Sequence, residues 1–320
     1  MSTAVEAQSM NYGMGTEMTH RVFGEHAEEA LRAVKEESVR LEKMLSCFIP
    51  GSEISRINES AGINRVALSL DTYEVLSRAT EFSRYSEGLF DVTIGPLVNL
   101  WDYKNSSETP DEVRIRQVLP LVNYADLILN PSDTTAGLQR VGQFIDLGGI
   151  GKGFASDRFL KVFKTFGMSS AFTNIGGNVA TLGAKPNGSP WRVGIRHPRQ
   201  ENRLIGAVFL ADKAVVTSGD YQRYFVDRNG KRRHHLLDPN TGYPAESGLI
   251  SVTVVSDSAT TADALSTILF IAGMERGLEL LKSYPGTEVV FVKKDIQVYV
   301  TQGLIGSFQT DMGIRANIID

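Results

Sequence analysis

The rhythm of polar and apolar positions changes along the chain. From about Val22 to Leu45, the apolar residues Val22, Phe23, Ala27, Ala30, Leu31, Val34, Leu41, Met44 and Leu45 recur every three or four places among acids and bases. That spacing predicts an amphipathic helix, which stops before Pro50-Gly51, where "GSEISRIN" begins a new turn. Further helices are expected from about Asp71 to Ser86, ahead of Gly88, and around 110–119.

The middle of the chain reads differently. "VGQFIDLGGIGKGFASDRFLKVF" predicts a short strand, a Gly-rich turn and a helix from about Lys152 to Phe166, and "SAFTNIGGNVATLGA" repeats strand, Gly pair, strand. "WRVGIRHP", "IGAVFLA", "AVVTSG", "YQRYFV" and "LISVTVVS" are short alternating or β-branched runs bounded by turn residues, so a largely antiparallel sheet is expected. An apolar helix, "ATTADALSTILFIAG", follows, then an amphipathic one near 274–284 and the strands "TEVVFVKK" and "IQVYVTQ". Helix-rich early, strand-rich in the middle and mixed at the end, the pattern points to an α+β fold. Residues 1–12 are expected to be a disordered tail before one domain running from 13 to 320.

Composition narrows the function. The chain has 320 residues, 42% of them hydrophobic, enough for a sizeable core. A net charge of −4 arises from mixed signs, and "KRRHH" is only a short basic run, so no nucleic-acid partner is expected. A single cysteine, Cys47, excludes an intrachain disulfide and a multi-cysteine metal site. The N-terminus shows no signal peptide or lipoprotein signal, and no apolar run is long enough to span a bilayer, so a cytoplasmic protein is expected.

Three constellations carry candidate chemistry, each beside a structural alternative. In "DLGGIGKG", four glycines allow a sharp turn and close approach of the backbone, and Lys152 can meet a phosphate near the start of the next helix. The same turn also serves as a tight strand–helix connection. In "HHLLDPNTGYP", His235 stands at a strand end beside a bent loop, where it is either a general base or a structural residue. On the apolar helix, Asp263 and Thr267 are four residues apart with Ser266 adjacent. Thr260-x-x-Asp263 fits a capping box, whereas a carboxylate beside a hydroxyl suits a hard cation such as Mg²⁺, completed by carbonyls, water and substrate phosphate.

Together these motifs resemble the FAD:protein FMN transferases, or ApbE-type flavin transferases. The resemblance runs in order through "GMGTEM", "MLSCFIPGSEISRIN", "FDVTIGPLVNLW", "DLGGIGKGFASDRF", "NIGGNVATLG", "SGDYQRYF", "HHLLDPNTGYP" and "TADALST". It implies a single compact T-fold-like domain, a largely antiparallel sheet flanked by helices, with FAD as substrate and Mg²⁺ at its pyrophosphate. Carried over, the metal ligands are Asp263, Thr267 and the Gly149 carbonyl, with Ser266 nearby. FAD contacts fall at Met14, Phe48, Trp101, Asp102, Tyr103, Asp146, Lys152 and Leu237, and His235 is the base. Phe48 stands where the family commonly has Tyr, and "WDY" where it often reads Trp-Gly-Phe. The implied reaction is transfer of FMN to a Thr or Ser hydroxyl in a motif of an acceptor flavoprotein, with AMP released. An FAD pyrophosphatase and a non-catalytic flavin binder are the alternatives.

Overall fold

The computed structural model describes residues 5–320 except 104 and 107. The chain starts with a hairpin, β1 (Glu6–Gly13) and β2 (Thr16–Phe23), and a long helix, α1 (Ala27–Leu45). Next come α2 (Glu53–Glu59), β3 (Val66–Ala67), α3 (Leu70–Tyr85), α4 (Gly95–Trp101), α5 (Glu112–Val118), β4 (Leu127–Asn130) and β5 (Thr135–Leu138). The Gly-rich turn leads into α6 (Gly151–Thr165), followed by β6 (Ser170–Ile175), β7 (Asn178–Leu182), β8 (Trp191–Arg196), β9 (Leu204–Leu210) and β10 (Ala214–Gly219). A ribbon of β11 (Tyr224–Val226) and β12 (Arg232–His234) precedes β13 (Leu249–Ser256), α7 (Ala259–Ala272) and α8 (Met274–Leu281). The last strands are β14 (Glu288–Lys293), β15 (Val298–Thr301), β16 (Phe308–Thr310) and β17 (Ala316–Ile319).

Among the described residues, nine strands form the main sheet in the order β1-β2-β6-β7-β10-β13-β14-β15-β17. Every pairing in it is antiparallel except β15 with β17. Strand β13 lies next to the middle strand β10 and is buried at every position, as its β-branched run demands. Its alternation divides two cores: Val252 and Val254 pack with Phe159 and Phe163 of α6 and Leu265 and Leu269 of α7. Val255 packs on the other side with Val193, Ile195 and Val208 from the small sheet β16-β9-β8, and Ile250 joins them at the register shift between Leu249 and Ser251. Helices therefore cover one face of the main sheet and a second sheet covers the other, the α+β arrangement expected. Among the described residues no helix is long and apolar enough to cross a membrane.

Two expectations are corrected. Residues 6–12 are not a tail: they are the edge strand β1, paired with β2 in continuous register from Glu6↔Phe23 to Gly13↔Thr16. An edge strand with a solvent-facing side needs no apolar alternation, so "EAQSMNYG" carried no strand signal. Residues 1–4 of the predicted tail lie outside the described residues. Val22 and Phe23 do not begin α1 but end β2, pairing with Ala171 and Ser170. Gly24, at φ 155°, breaks the chain between strand and helix, a conformation that favours glycine.

Candidate functional site

The apolar helix α7 is fixed at its start by residues other than the predicted capping pair. Ser258 is the N-cap and accepts from the Thr261 N–H at 3.2 Å. Asp157 of α6 accepts from the Ser258 hydroxyl, the Ala259 and Thr260 N–H groups and the Thr260 hydroxyl, at 2.6–2.9 Å. A carboxylate at a helix N-terminus satisfies orphan N–H groups and meets the positive end of the dipole. The capping box Thr260-x-x-Asp263 does not form, because Asp263 lies a turn further in. Removing the clamp, Asp157→Ala is expected to cost about 2–3 kcal/mol of stability in urea unfolding.

Asp263 is free of that duty and points across to α6. Its Oδ2 accepts from the Gly153 N–H at 2.8 Å, and the residue is 4% exposed. Gly153 is what permits this contact: a Cβ there would meet the Ala259 carbonyl and lie 2.7 Å from the Asp263 Cβ. Gly153→Ala is accordingly expected to push α7 off α6 and lower the melting temperature by several degrees, at about 1–3 kcal/mol for overpacking.

One turn on, Thr267 presents its hydroxyl to the Gly-rich turn. A Cβ built on Gly149 would lie 3.6 Å from Thr267 Oγ1 and 3.0 Å from the Phe90 ring. Neither Thr267 Oγ1 nor Asp263 Oδ1 has a hydrogen-bond partner among the described residues, though each lies on the face of α7 turned to α6 and its turn. Ser266 is different. Fully buried, it donates to the Asp263 carbonyl at 2.8 Å and shares a 2.8 Å hydrogen bond with Ser218, so it braces α7 against β10. Among the described residues no three His, Cys, Asp or Glu side chains form a metal cage. One carboxylate oxygen and one hydroxyl beside the Gly149 turn are hard donors that fit Mg²⁺, which takes few protein ligands and keeps water and phosphate for the rest.

The turn itself is built from its own backbone. Asp146 Oδ1 accepts from the Gly148 N–H at 2.7 Å, and the Asp146 N–H donates to the Val92 carbonyl at 2.8 Å. Lys152, in the first turn of α6, donates to the Gly148 carbonyl at 3.2 Å and stays half-buried. Met14 closes the turn from the β1–β2 hairpin: its Cε would be 3.9 Å from a Gly151 Cβ, and its N–H donates to Glu42 of α1 at 2.8 Å.

His235 follows the last residue of β12. Its N–H donates to the Arg223 carbonyl at 3.0 Å, and Nδ1 lies 3.2 Å from the same oxygen. A carbonyl only accepts, so Nδ1 carries the proton and Nε2 keeps its lone pair. Burial, then the Arg223 charge and lesser contributions that include Lys152, push its pKa down to about 3. The influence of Lys152 brings the ribbon and the Gly-rich turn into one electrostatic neighbourhood.

An aromatic cluster anchors the loop beyond His235. Trp101 is fully buried, donates through Nε1 to the Gly242 carbonyl at 2.8 Å, and stacks on Tyr103 at 5.7 Å with a 3° tilt. Phe225 of β11 packs on both rings. Leu237, 5% exposed, bridges to Pro244. Trp101 and Leu237 thus have almost no surface to offer a ligand and act as backing, which leaves contact to Tyr103, whose hydroxyl is buried without a partner among the described residues. Asp102 caps α4 in the left-handed region at φ 39° and holds the Asn105 amide. Phe48, past the end of α1, is 67% exposed and offers a flat apolar face.

Some positioning residues escaped the sequence reading. Asn58 of α2 donates to the Ile145 carbonyl at 3.1 Å and accepts from its N–H at 2.7 Å, pinning the backbone that leads into Asp146. Glu42 and Asp157 act in the same manner on Met14 and α7. Each meets a partner far away in sequence, so local spacing carried no signal.

Comparison with known proteins places the chain in a family. The ApbE family model matches residues 14–291. The FAD:protein FMN transferase of Klebsiella pneumoniae strain 342 is 33% identical over 290 residues, covering 90% of this chain and 89% of the relative. That of Treponema pallidum is 32% identical over 313 residues, covering 91% and 86%. Among solved structures, the ApbE protein of Thermotoga maritima superposes with a TM-score of 0.87 at 30% identity, covering 95% of this chain and 99% of that one. The flavin transferase ApbE of Vibrio cholerae gives 0.85 at 26% identity, covering 94% and 99%.

Proposed function

The chain belongs to the ApbE family of flavin transferases, and from that membership we propose that it moves FMN from FAD onto a Thr or Ser hydroxyl of an acceptor flavoprotein, in a Mg²⁺-dependent reaction that releases AMP. The observation that carries the reading is the pair of oxygens without partners, Asp263 Oδ1 and Thr267 Oγ1, set against the Gly149 turn with Lys152 alongside.

In the proposed reaction the acceptor hydroxyl oxygen forms a bond to the FMN-side phosphorus, and the bridging bond to the AMP phosphate breaks. The hydroxyl proton passes to His235 Nε2, whose lone pair is kept by the Nδ1 hydrogen bond to Arg223. AMP leaves with the bridging oxygen. Lys152 adds positive charge at the phosphates, and the glycines let the backbone approach them. Asp263, Thr267 and the Gly149 carbonyl would hold Mg²⁺, which when bound neutralises the pyrophosphate and the charge developing on AMP. Tyr103 and the exposed Phe48 supply flat surfaces for FAD, with Met14, Asp102 and Asp146 around the turn.

The test is stoichiometric. Chromatography of a reaction with FAD, Mg²⁺ and acceptor should yield one AMP for each FMN attached, and EDTA should stop both. AMP accompanied only by free FMN supports a pyrophosphatase instead, and no turnover supports a flavin-binding protein.

A further inference from the structure

Beside the proposed base lies a cavity of about 200 Å³ that the reaction described above does not use. Arg199, Lys231, Arg232, Arg233 and Lys294 line it, against two carboxylates, Asp220 and Glu246. Asp220 takes both terminal nitrogens of Arg199, at 2.7 and 2.6 Å, and Glu246 pairs with Lys231. Arg233 is held by Asp227, outside the lining, at 2.8 Å. Arg232 and Lys294 form no ion pair among the described residues: Arg232 donates to the Asp220 carbonyl at 3.4 Å, and Lys294 only adds its charge near Glu246, which Lys231 already holds. Arg232 lies over the Tyr224 ring at 3.8 Å, and Lys294 is exposed.

His234, the neighbour of His235, also lines this cavity and is 7% exposed. Its Nε2 lies 3.1 Å from the Ala245 carbonyl, so that nitrogen carries the proton. Nδ1 is then a buried acceptor without a partner among the described residues. Leaving such an atom unpaired costs about 1–3 kcal/mol, so a donor reaching it through the cavity is favoured. The ring also packs edge-on against Phe270 at 5.4 Å, on the same helix as Asp263 and Thr267.

We propose that this cavity is the acceptor subsite: it takes an acidic side chain of the polypeptide that presents the reacting hydroxyl. The assignment rests on the transferase reading above. Uncompensated cations call for a carboxylate, while Nδ1 calls for a hydrogen-bond donor. An acidic peptide segment supplies both, through its side chain and a backbone N–H or hydroxyl. A bare oxyanion satisfies the cations but sets its lone pairs against that of Nδ1. His234 and the base are consecutive residues, so an acceptor segment seated in the cavity lies within a few residues' reach of the base.

The test uses the full chain with FAD and Mg²⁺, and as acceptor a protein modified by the Vibrio cholerae relative. Lys294→Glu and Arg232→Gln should raise the acceptor concentration for half-maximal transfer about tenfold or more, with FAD affinity retained. Arg232→Lys should recover part of the loss. Lys294 is exposed, so its variant keeps the fold intact. In nitrogen-15 spectra of the histidines, the His234 Nδ1 signal should move when acceptor is added and stay put with inorganic sulfate, which has no donor. Transfer by the wild type with unchanged acceptor dependence in both variants overturns the subsite alone. A sulfate-induced shift matching that of the acceptor makes it a site for free anions, and also overturns the proposal. Absence of any adduct with the wild type overturns the transferase reading and the subsite with it.

Discussion

Asp263→Ala is expected to abolish Mg²⁺-dependent flavin transfer while the protein still folds. The carboxylate has two duties, and the substitution removes both. The loss of its contact to the Gly153 N–H, at 2.8 Å, leaves one buried donor unsatisfied, a cost of about 1–3 kcal/mol that a domain of this size survives. The loss of Oδ1 removes the only charged donor among those proposed for the metal, and several kcal/mol of transition-state stabilisation goes with it, on the order of 10³-fold or more in rate. Asp263→Asn separates the duties, since an amide oxygen still accepts from Gly153 but brings no charge. It should be near wild type in urea unfolding and as inactive as the alanine variant. Full activity in either variant refutes the metal assignment.

His235→Ala is expected to slow transfer by about 10²–10⁴-fold while FAD still binds, the usual contribution of a positioned general base. A loss of FAD binding instead would make the residue a ligand contact. The pH dependence has a definite sign. In the free protein the pKa is held near 3, because burial, Arg223 and Lys152 all disfavour the cation, so the ring is neutral at physiological pH and able to take a proton. Between its ordinary value of 6.5 and about 3, the unfolded chain binds a proton that the folded one does not, and this group's stabilising contribution is lost as the pH falls through that window. Binding of a pyrophosphate beside Lys152 offsets the cationic share of the depression. The His235 pKa, followed by NMR, should therefore rise when FAD is added.

What the sequence disclosed depended on whether its signal was local. Helices α6 and α7 and strands β6, β7 and β13 were legible because one short stretch carries their periodicity or β-branched run. Strand β1 was not, since an edge strand is held by backbone pairing to β2 and leaves its outward residues polar. The dispute over Asp263 was settled by contacts from elsewhere in the chain. Asp157 reaches α7 from about a hundred residues away, and that clamp, with Ser258 as the N-cap, makes a capping role for Asp263 unnecessary. The Gly-rich turn is a tight connection into α6, and it lies against Thr267. Trp101 shows the opposite limit: its place in a motif suggested a flavin contact, and its complete burial under Tyr103 makes it a support.

The most direct test of the account is the mass of an acceptor protein after incubation with this chain, FAD and Mg²⁺. The account predicts that the acceptor gains one FMN, minus water, on a Thr or Ser side chain, and that no gain occurs with Asp263→Asn. An unchanged acceptor mass while FAD is consumed to free FMN and AMP would contradict it.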